Sequence, residues 1–595
     1  MNPKSPYLSY EWVLPHLDKI HIEEYSYKIP DRGRKDMRRI GITIALALFI
    51  MGFVSFPTIA QHLESRSLTI SPGEIFYVGG SGPGNYTRIQ DAIDNASNGD
   101  TIFIYHGTYY ESVLLDKALR MEGENQTTVI LDSHNEFLDG ILIQSSDTTI
   151  RNMTIQNFQN FAAGSGVIIT DSSLQHIVLT NLTLLNNWIG ILVWNLSTDI
   201  QDIILFDITL SGNAYGVRFI RTTHCRVSHC VFITNRVGLA LDSSTNDIIQ
   251  NNAFHDNGLG LVGENLLHYT HTVHGNTVNG KPLLYLKNQT HLNIDKEAGQ
   301  VIMVNCSNSK IHNITFNDTY FFGAYVAYGH HITIANCSFN KSSLMLDKTN
   351  DNTVIENTIC NNHQQTGIGL AFADNNSILF NEFTHNDDKA VGLYFSRYNI
   401  LQANIFHDNE IGIDFYTSSD HNRIYHNILR NNTQNALDEC QNLWDNSSLS
   451  GGNFWGDYSG NDTNEDGIGD TTYNISGGNN QDRYPLRLPY GMTRLAVGFT
   501  PKPYRSLLSI TNRGTTTALN VHWLLTINGG MLFCKRTYAG STPPLLPGHQ
   551  ANLPLRFFFI GFGPVELQIS AWADNAPIVT EKIHGLLIIF YFFIR

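Results

Sequence analysis

One acidic loop holds the side chains best suited to chemistry in this chain. Side-chain oxygens stand at positions 1, 3, 5 and 9 of this loop, on Asp462, Asn464, Asp466 and Asp470. Ile468 adds a main-chain carbonyl at position 7, and Gly467 at position 6 permits a sharp turn. Because Ca²⁺ prefers carboxylate, amide and carbonyl oxygens, the loop predicts a structural calcium site. The alternative is a solvated acidic turn.

The twelfth position of the loop is Tyr473, where a complete calcium loop has a bidentate glutamate. The missing ligand must then come from outside the loop, and Asp457 and Asp482 are the candidates. We expect the bound ion to stiffen the junction between the two main folded parts of the chain.

A second candidate for chemistry emerges when two consecutive repeats are aligned at Phe383 and Phe406. The alignment pairs Asp387 with Glu410 and His385 with Asp408. Carboxylates held on neighbouring strands, about 5 Å apart, are suited to acid–base cleavage of a glycosidic bond. However, Phe-His-Asp-Asn recurs at 254–257 and 406–409, far apart in the repeat. We therefore interpret these side chains as turn residues and expect no catalytic group.

A short segment rich in histidine and cysteine raises the question of copper or zinc. It contains His224, Cys225, His229 and Cys230. Imidazole and thiolate bind both metals. The two histidines fall where the next repeat has Asn246 and Asn251, on different edges of the coil, which favours a turn role. The nine methionines do not cluster, so we predict no soft copper site.

A sequence repeat must position all of these side chains. Glycines recur every 22 to 26 residues, at positions 140, 166, 190, 216, 238 and 260. Between them apolar and polar residues alternate, as in strands with one buried face. A period of this length with strand-like alternation predicts an all-β chain whose residues 75–450 form a right-handed parallel β-helix, a solenoid in which each coil stacks on the next.

The repeat also predicts which residues stack and which turn. Three apolar pairs should lie one coil apart: Leu241 over Phe219, Ile249 over Val227, and Phe254 over Phe232. At the corners, asparagine tolerates a left-handed backbone, and its amide can bond the asparagine of the next coil. We assign both functions to the same residues, which are Asn246, Asn251, Asn313, Asn336, Asn357, Asn404 and Asn427. Cys360 falls at the inward position of its coil.

The composition disfavours one class of partner and one kind of framework. Charged residues make up 15% of the 595 residues, and the formal net charge is −15. This acidic balance, without a basic stripe, predicts no nucleic-acid partner. Seven scattered cysteines, an odd number, do not predict a disulfide framework.

Residues 40–60 are uncharged and long enough to span a bilayer. Basic residues precede them, so we expect the tail 1–39 to stay inside and the remainder to be exported. The segment is either a signal anchor or a signal peptide cut after Ala60, and a start at Met37 would make the first residues an artefact. Asn-X-Ser/Thr sequons, as at Asn85, agree with a glycosylated protein that is secreted or held on the outer membrane face.

Other segments depart from the regular repeat. A short amphipathic helix capped by Thr87 is predicted to cover the first coil, and residues 275–300 read as an inserted excursion that protrudes. Residues 451–488 form a Gly/Asn/Asp-rich junction around the acidic loop. Alternating runs over 491–583 predict an antiparallel β-sandwich. The apolar tail 584–595 is either a membrane-dipping segment or a final buried strand.

Several stretches resemble known families. Ile89-Gln-Asp-Ala-Ile93 resembles the beginning of pectin-lyase-like β-helices. Residues 278–286 and 299–306 are similar to NosD-type β-helix repeats, also grouped as carbohydrate-binding and sugar-hydrolase (CASH) domains. Gly451-Gly-Asn-Phe-Trp-Gly-Asp-Tyr458 is similar to the end of that domain in archaeal surface proteins. The region 491–583 resembles a cell-adhesion-related CARDB-type sandwich.

These resemblances imply a function at the cell surface. The acidic loop resembles EF-hand loops and thrombospondin type 3 calcium repeats. Named NosD-type members include a copper-accessory protein, while other CASH proteins bind or process polysaccharide. We therefore predict a non-catalytic surface protein that binds carbohydrate or another surface component. The alternatives are a polysaccharide-processing enzyme, of hydrolase, lyase or epimerase type, and a copper-accessory protein.

Overall fold

The computed structural model describes most of the chain beyond the predicted membrane segment. It covers residues 73–595 except 135, 160–163, 449, 465, 492, 501–505, 515, 533–536, 556–560, 574–575, 590 and 595. The predicted segments 1–39 and 40–60 lie outside the described residues. Among the residues that are described, none of the helices has the length and apolar character needed to cross a bilayer.

The first part of the β-helix consists of two long parallel sheets. Sheet 1 contains Ile75–Val78, Thr101–Ile104, Gly107–Tyr109, Arg120–Gly123, Val129–Asp132, Thr149–Gln156, Ile177–Leu185, Ile203–Ser211, Arg226–Ser228, Val231–Ile233, Ile248–Gln250, Ala253–His255, Thr272–His274 and Thr277–Val278. Sheet 2 contains Val113–Leu115, Ile141–Ile143, Ser165–Ile169, Ile189–Trp194, Tyr215–Ile220, Val237–Asp242 and Leu259–Val262. Ile200–Gln201 and Thr222–Thr223 form a separate short pair.

The second part has three parallel sheets. Sheet 3 contains Lys281–Lys287, Gln300–Val304, Phe322–Ala327, Ser343–Asp347, Ile368–Ala371, Lys389–Tyr394, Ile411–Tyr416 and Gln434–Asp438. Sheet 4 contains Asn293–Ile294, Ser307–His312, His330–Ala335, Thr353–Ile355, Ser377–Leu379, Ile400–Gln402 and Arg423–Tyr425. Sheet 5 contains Thr315–Asn317, Ser338–Asn340, Thr358–Cys360, Glu382–Thr384, Ile405–His407, Ile428–Arg430 and Phe454–Trp455.

The stacking predicted from the repeat is confirmed. The register pairs Phe219 with Leu241, Val227 with Ile249, and Phe232 with Phe254. The rings of Phe232 and Phe254 stack with their centroids 4.7 Å apart, and both side chains are buried. Like side chains thus stack along the core, as a parallel β-solenoid requires.

The corner prediction is wrong in one respect, because two adjacent residues divide the work. Asn246, Asn251, Asn313 and Asn336 have left-handed backbones, with φ between 52° and 57°. Asn357, Asn404 and Asn427 are instead buried. The side-chain amide of each donates to the asparagine at the same position of the next coil, so that together they form hydrogen-bonded ladders. At the corner of Asn251, for example, the next residue, Asn252, is the one that donates its amide to the ladder.

The prediction for Cys360 is also wrong. Its neighbour Ile359 is the buried residue, paired with Phe339 and Phe383, while Cys360 is only partly buried and pairs with Asn340. A shift of one residue along a strand moves a side chain to the opposite face, so the alignment was one residue out of register.

A short helix, Ile89–Asn95, covers the first coil as predicted, but its cap differs. Ile89, Ala92 and Ile93 are buried. The N-cap residue is Arg88, and its side chain makes no capping hydrogen bond. The carboxylate of Glu111 accepts hydrogen bonds from the N–H groups of Ile89 (2.8 Å) and Gln90 (3.2 Å) instead. A distant residue therefore satisfies the helix end.

The excursion predicted over 275–300 does not protrude but joins the two parts of the β-helix. Thr277–Val278 and Lys281–Pro282 pair antiparallel, and Lys281–Lys287 then begins sheet 3. Sheet 2 ends at Leu259–Val262, where a side chain takes the place of a further strand. Gln300 accepts from Leu259 N–H through Oε1 (3.0 Å) and donates to Leu259 O through Nε2 (2.9 Å). A 3₁₀ turn at Leu266–Tyr269 follows that strand.

Residues 451–488 close the far end of the β-helix. Phe454–Trp455 extends sheet 5, and Tyr473–Asn474 pairs antiparallel with Gln481–Asp482. Trp444 and Trp455 are fully buried, and their indole N–H groups donate to Asp438 (2.8 Å) and Asp482 (2.9 Å).

Two antiparallel sheets form the C-terminal region. The three-stranded sheet contains Leu495–Thr500, Ser506–Asn512 and Gln550–Leu555. The five-stranded sheet contains, in spatial order, Thr537–Thr542, Val521–Leu532, Gly561–Ala573, Ala576–Ile589 and Tyr591–Ile594. Both sheets contribute to one hydrophobic cluster, with Leu508 from the first and Leu525 and Leu567 from the second. The predicted tail 584–595 is part of the five-stranded sheet, because it contains the end of the strand Ala576–Ile589 and the strand Tyr591–Ile594.

Candidate functional site

The candidate site is a group of aromatic side chains on the outer face of the first coils, here named the aromatic platform. Its aromatic members are Tyr77, Phe103 and Tyr105, and they border a surface pocket of about 540 Å³. Ile75, Thr101, Arg120 and Glu122 complete the lining of this pocket. No residue of the platform was singled out by the sequence analysis.

Strand register brings the platform together. Tyr77, Phe103 and Glu122 occupy one row across three adjacent strands of sheet 1, and Ile75, Thr101 and Arg120 occupy another. The residues that follow Tyr77 and Phe103, Val78 and Ile104, point into the core, where both are fully buried. Because side chains alternate between the two faces of a strand, the same register that buries the core exposes the platform.

The three rings form a continuous surface. The centroid of Tyr77 lies 6.0 Å from those of Phe103 and Tyr105, and the Tyr77 and Tyr105 rings are stacked at 22°. Phe103 meets Tyr105 edge to face at 5.2 Å. Tyr77 is 39% exposed, and Phe103 and Tyr105 are partly buried, so all three rings reach the surface.

The turn after the first strand holds Tyr105 in place. Gly80 has φ +69°, and a Cβ at this position would lie 2.8 Å from Cδ2 of Tyr105. Only glycine allows the backbone to pass so close to the ring. The hydroxyl of Tyr109 donates to the carbonyl oxygen of Tyr105 at 2.8 Å, which holds the main chain from the other side.

Charged groups border the platform on one side. Arg120 Nε lies 3.1 Å from Glu122 Oε2, and Arg151 pairs with the other oxygen of the same carboxylate. Two guanidinium groups around one carboxylate leave one unit of positive charge. The remaining N–H groups of Arg120, which lines the pocket, are donors at its border.

A second pocket, of about 580 Å³, lies where the two parts of the β-helix meet. Its lining includes His255, Asp256, Lys281 and Asp318, but no Phe, Tyr or Trp. Its polar groups largely bond one another: Asn279 accepts from Asp256 N–H (2.9 Å) and donates to the carbonyl oxygen of Asp318 (3.0 Å). These contacts join the two parts of the β-helix, so we regard the pocket as structural.

The predicted pairing of acidic residues exists in the backbone, but the side chains of Asp387 and Asp408 contact other partners. His385 and Asp387 lie opposite Asp408 and Glu410, as the alignment implied. All four side chains are exposed. The carboxylate of Asp387 contacts His363 instead of Glu410, and Asp408 accepts from His407 at 2.7 Å. The hydrogen bond from His407 lowers the pKa of Asp408.

The residues of the acidic loop lie close together. Asp462 accepts hydrogen bonds from the N–H groups of Asp466 (3.1 Å) and Gly467 (3.0 Å). Asp466 accepts from Ile468 N–H (2.8 Å), and Asp470 from Thr463 N–H (2.9 Å). Asn464 accepts from Asp466 N–H at 3.2 Å. The four side chains thus accept hydrogen bonds from main-chain N–H groups of one turn, with Gly467 at φ +90°. Among the described residues, the carboxylates of this loop do not form a group that could hold a metal ion in the present arrangement.

The two carboxylates considered for the missing ligand are engaged elsewhere. Asp482 is fully buried and accepts from Asn453 N–H (2.7 Å) and from Trp455 Nε1. Asp457 accepts from Tyr473 Oη (3.0 Å) and Asn435 Nδ2 (3.0 Å). Tyr473, at position 12, stacks on Trp455. In the described part of the chain, neither of these two carboxylates therefore serves as the bidentate ligand that the loop itself lacks.

The histidine and cysteine segment has the turn geometry that the sequence indicated. His224 and His229 are left-handed corner residues, with φ 55° and 56°. Cys225 and Cys230 follow them at ladder positions, where their N–H groups donate to Asp247 and Asn252. Burial raises the pKa of both thiols, that of Cys230 to about 12. Among the described residues, no three His, Cys, Asp or Glu side chains are grouped as a metal site.

The aromatic platform could have been found from a simple signal. Aromatic residues stand at outward positions of two successive strands, Tyr77 in one and Phe103 and Tyr105 in the other, where the repeat normally has polar side chains. The period begins to be recognisable only at Gly140, so the register of these first strands was not available.

Comparison with known proteins agrees with the two-part architecture. Residues 118–295 match the family model of the right-handed β-helix region, and residues 272–460 match that of the periplasmic copper-binding protein NosD. The two matches overlap at residues 272–295, where the antiparallel pair of Thr277–Val278 and Lys281–Pro282 joins the two parts of the β-helix. The fold is therefore a right-handed parallel β-helix. Residues 272–460 are similar to NosD-type β-helix proteins, and neither of the two matches extends to the C-terminal sheets.

Curated relatives match a shorter stretch. Over 87 residues the chain is 34% identical to the probable ABC transporter binding protein NosD of Pseudomonas aeruginosa, and equally to that of Stutzerimonas stutzeri. The alignment covers 15% of this chain and 20% of each relative. The chain thus spans about a fifth of the length of the curated relatives it matches.

Similar solved structures include two carbohydrate-active proteins. One is a pectin methylesterase in complex with a hexasaccharide, at 15% identity and a TM-score of 0.26, covering 43% of this chain and 89% of that chain. Another is the A-module of a mannuronan C-5 epimerase of Azotobacter vinelandii, at 13% identity and a TM-score of 0.21, covering 60% and 92%.

Proposed function

We propose that the chain is an exported, surface-associated β-helix protein that binds carbohydrate without cleaving it, and that the aromatic platform is the binding site. The observation that supports this is the contiguous arrangement of the exposed Tyr77 and the partly buried Phe103 and Tyr105 beside Arg120 and Glu122.

The chemistry of the platform suits a sugar ring. A sugar has faces of C–H groups surrounded by hydroxyl groups, so it needs an apolar surface with hydrogen-bonding groups at its border. Aromatic rings supply that surface, and the tyrosine hydroxyls add donors and acceptors. Arg120 and Glu122 lie within the same pocket and supply further donors and acceptors for the hydroxyl groups.

Glycan-array binding by the purified protein tests this proposal. Tyr77→Ala and Phe103→Ala should each weaken binding by about tenfold or more, since each removes a ring whose burial is worth ~1.5 kcal/mol or more. Phe206→Ala is a matched control, because Phe206 is another exposed aromatic residue in the same row of sheet 1. Equal binding by all three variants, or specific protein adhesion without any glycan, would refute the proposal.

We also propose that Ca²⁺ binds Asp462, Asn464, Asp466, Asp470 and the main-chain carbonyl of Ile468. The support is the spacing of these oxygens in the sequence, together with the hydrogen bonds by which Asp462, Asn464 and Asp466 hold one turn next to the closed end of the β-helix. The ion would stiffen this turn before the C-terminal sheets, which we propose act as an adhesion module. Residues 40–60 would anchor the chain at the outer membrane face or direct its secretion.

Copper handling is the second candidate function, favoured by the description of the family model that matches residues 272–460. The segment considered for copper, 224–230, lies outside that match. Its buried thiols, with raised pKa values, are poor sources of the thiolate that binds copper. Carbohydrate binding is therefore the function that the geometry supports better.

A further inference from the structure

The outer face of the five-stranded sheet changes character along its strands. Near the middle it presents Glu566, Lys582 and His584, and Lys582 Nζ lies 3.5 Å from Glu566 Oε1. Beyond these residues the same face presents Leu586 and Ile588, which are 45% and 43% exposed. The polar part is thus followed directly by an apolar end.

Three adjacent strands contribute to this apolar end. The register places Met531, Phe562 and Ile588 in one row, and Leu586 lies beside Pro564 in the row before it. Met531 is 66% exposed and Phe562 is 53% exposed. A contiguous apolar surface of this kind marks a contact with another apolar phase.

The sequence at this end shows the same property. After Gly585 the alternation of apolar and polar residues stops, and Leu586, Leu587, Ile588 and Ile589 follow one another. Leu587 points inward and is fully buried, so its neighbours must point outward. Strands that are apolar on both faces are normally covered on both faces.

Charge indicates whether a second copy of the chain or a lipid surface would cover this apolar end. Residues 491–595 contain nine Lys and Arg but three Asp and Glu, a net charge of +6, although the whole chain carries −15. A second copy of the same basic region would be repelled, whereas anionic lipid headgroups attract a region of positive net charge.

We propose that this apolar end, formed by Met531, Phe562, Leu586 and Ile588, docks on an anionic lipid bilayer. The apolar side chains would enter the boundary between headgroups and acyl chains, with the polar side chains of Glu566, Lys582 and His584 above them. This contact is independent of the aromatic platform and of the predicted segment 40–60.

Site-specific photocrosslinking in the full chain tests the proposal. The variants Phe562→p-benzoylphenylalanine and Ile588→p-benzoylphenylalanine would be mixed with vesicles of phosphatidylcholine and phosphatidylglycerol and irradiated. Mass spectrometry then identifies the adduct. The matched control is Ile578→p-benzoylphenylalanine, because Ile578 is 64% exposed and lies on the same strand at its other end.

We expect severalfold more lipid adduct at positions 562 and 588 than at 578, and a loss of this difference with phosphatidylcholine alone. Because the comparison is between positions of one chain, anchoring by residues 40–60 would raise all three signals together. Equal lipid labelling at all three positions, an adduct with a second copy of the chain, or no adduct at 562 and 588 would each overturn the proposal.

Discussion

Asn404 donates through Nδ2 to Oδ1 of Asn427, 3.0 Å away on the next coil of the β-helix. Its own Oδ1 accepts from the main chain and the amide of Asn381, on the coil before. Each amide in the ladder thus bonds the coil on either side. The ladder satisfies buried polar groups at a corner where the strands no longer pair, so we expect it to be a main source of stability.

Removing one amide from this ladder should be costly. Asn404→Ala leaves the N–H of Asn381 and the carbonyl oxygen of Ile378 without their buried partner. We expect the free energy of unfolding, measured with urea, to fall by about 3 kcal/mol. Asn431→Ala is the control, since Asn431 is an exposed left-handed corner residue, and it should cost about 1 kcal/mol. Equal effects of the two changes would contradict the division of roles at the corners.

Calcium should stabilise the segment around the acidic loop. Carboxylates gathered in one turn repel one another, and an ion that binds only the folded loop stabilises it by mass action. Asp462→Ala or Asp466→Ala should abolish the effect of calcium on thermal melting and on protease cleavage between residues 450 and 490. Asp351→Ala, in an exposed corner of the β-helix, should retain that effect. If a chelator changes neither observable in the wild type, the loop is an acidic turn.

The paired acidic residues of the second part should not matter for catalysis. Asp387 and Glu410 are exposed, and the carboxylate of Asp387 is directed to His363. We expect Asp387→Asn and Glu410→Gln to leave any polysaccharide cleavage by the protein unchanged, as measured by release of reducing ends. Cleavage by the wild type that is lost in both variants would favour the enzymatic alternative.

Copper should find no tight site at the segment 224–230. His224 and His229 occupy separate corners, and the thiols beside them are buried at ladder positions. Titration of the protein with Cu(I) against a chromophoric chelator should give the same result for the wild type and for the double variant His224→Ala, His229→Ala. A stoichiometric site that the double variant loses would restore copper handling as the leading function.

The closed end of the β-helix should lose stability as the pH rises. Burial raises the pKa of Asp482 to about 7, despite the hydrogen bonds from Asn453 N–H and Trp455 Nε1, whereas an unfolded aspartate has a pKa of about 3.9. Between these values the folded state binds more protons than the unfolded state, so this group's contribution to stability decreases from about pH 4 to about pH 7. Asp482→Asn should reduce that slope in urea unfolding across this range. An unchanged slope would show that the carboxyl group does not titrate in the folded protein.

Much of the β-helix could be predicted from the sequence because each coil repeats the same physical requirement. Apolar residues must alternate and must stack on apolar residues one coil away, so the period of the glycines was enough to pair Phe232 with Phe254. The loop from Asp462 to Asp470 could also be recognised in the sequence, because all of its groups lie within one short segment. Errors arose where a single residue decides the face, as when Ile359 rather than Cys360 proved to point inward.

The rest depended on contacts between residues far apart in the chain. Tyr77 and Tyr105 belong to different strands, and only the register of sheet 1 places their rings side by side. Glu111 caps a helix that begins at Ile89, and Gln300 takes the place of a strand beside Leu259. The sequence by itself therefore determined the kind of fold and the local loop. The tertiary structure decided the caps, the join between the two parts and the aromatic platform, because pairing between distant strands creates them.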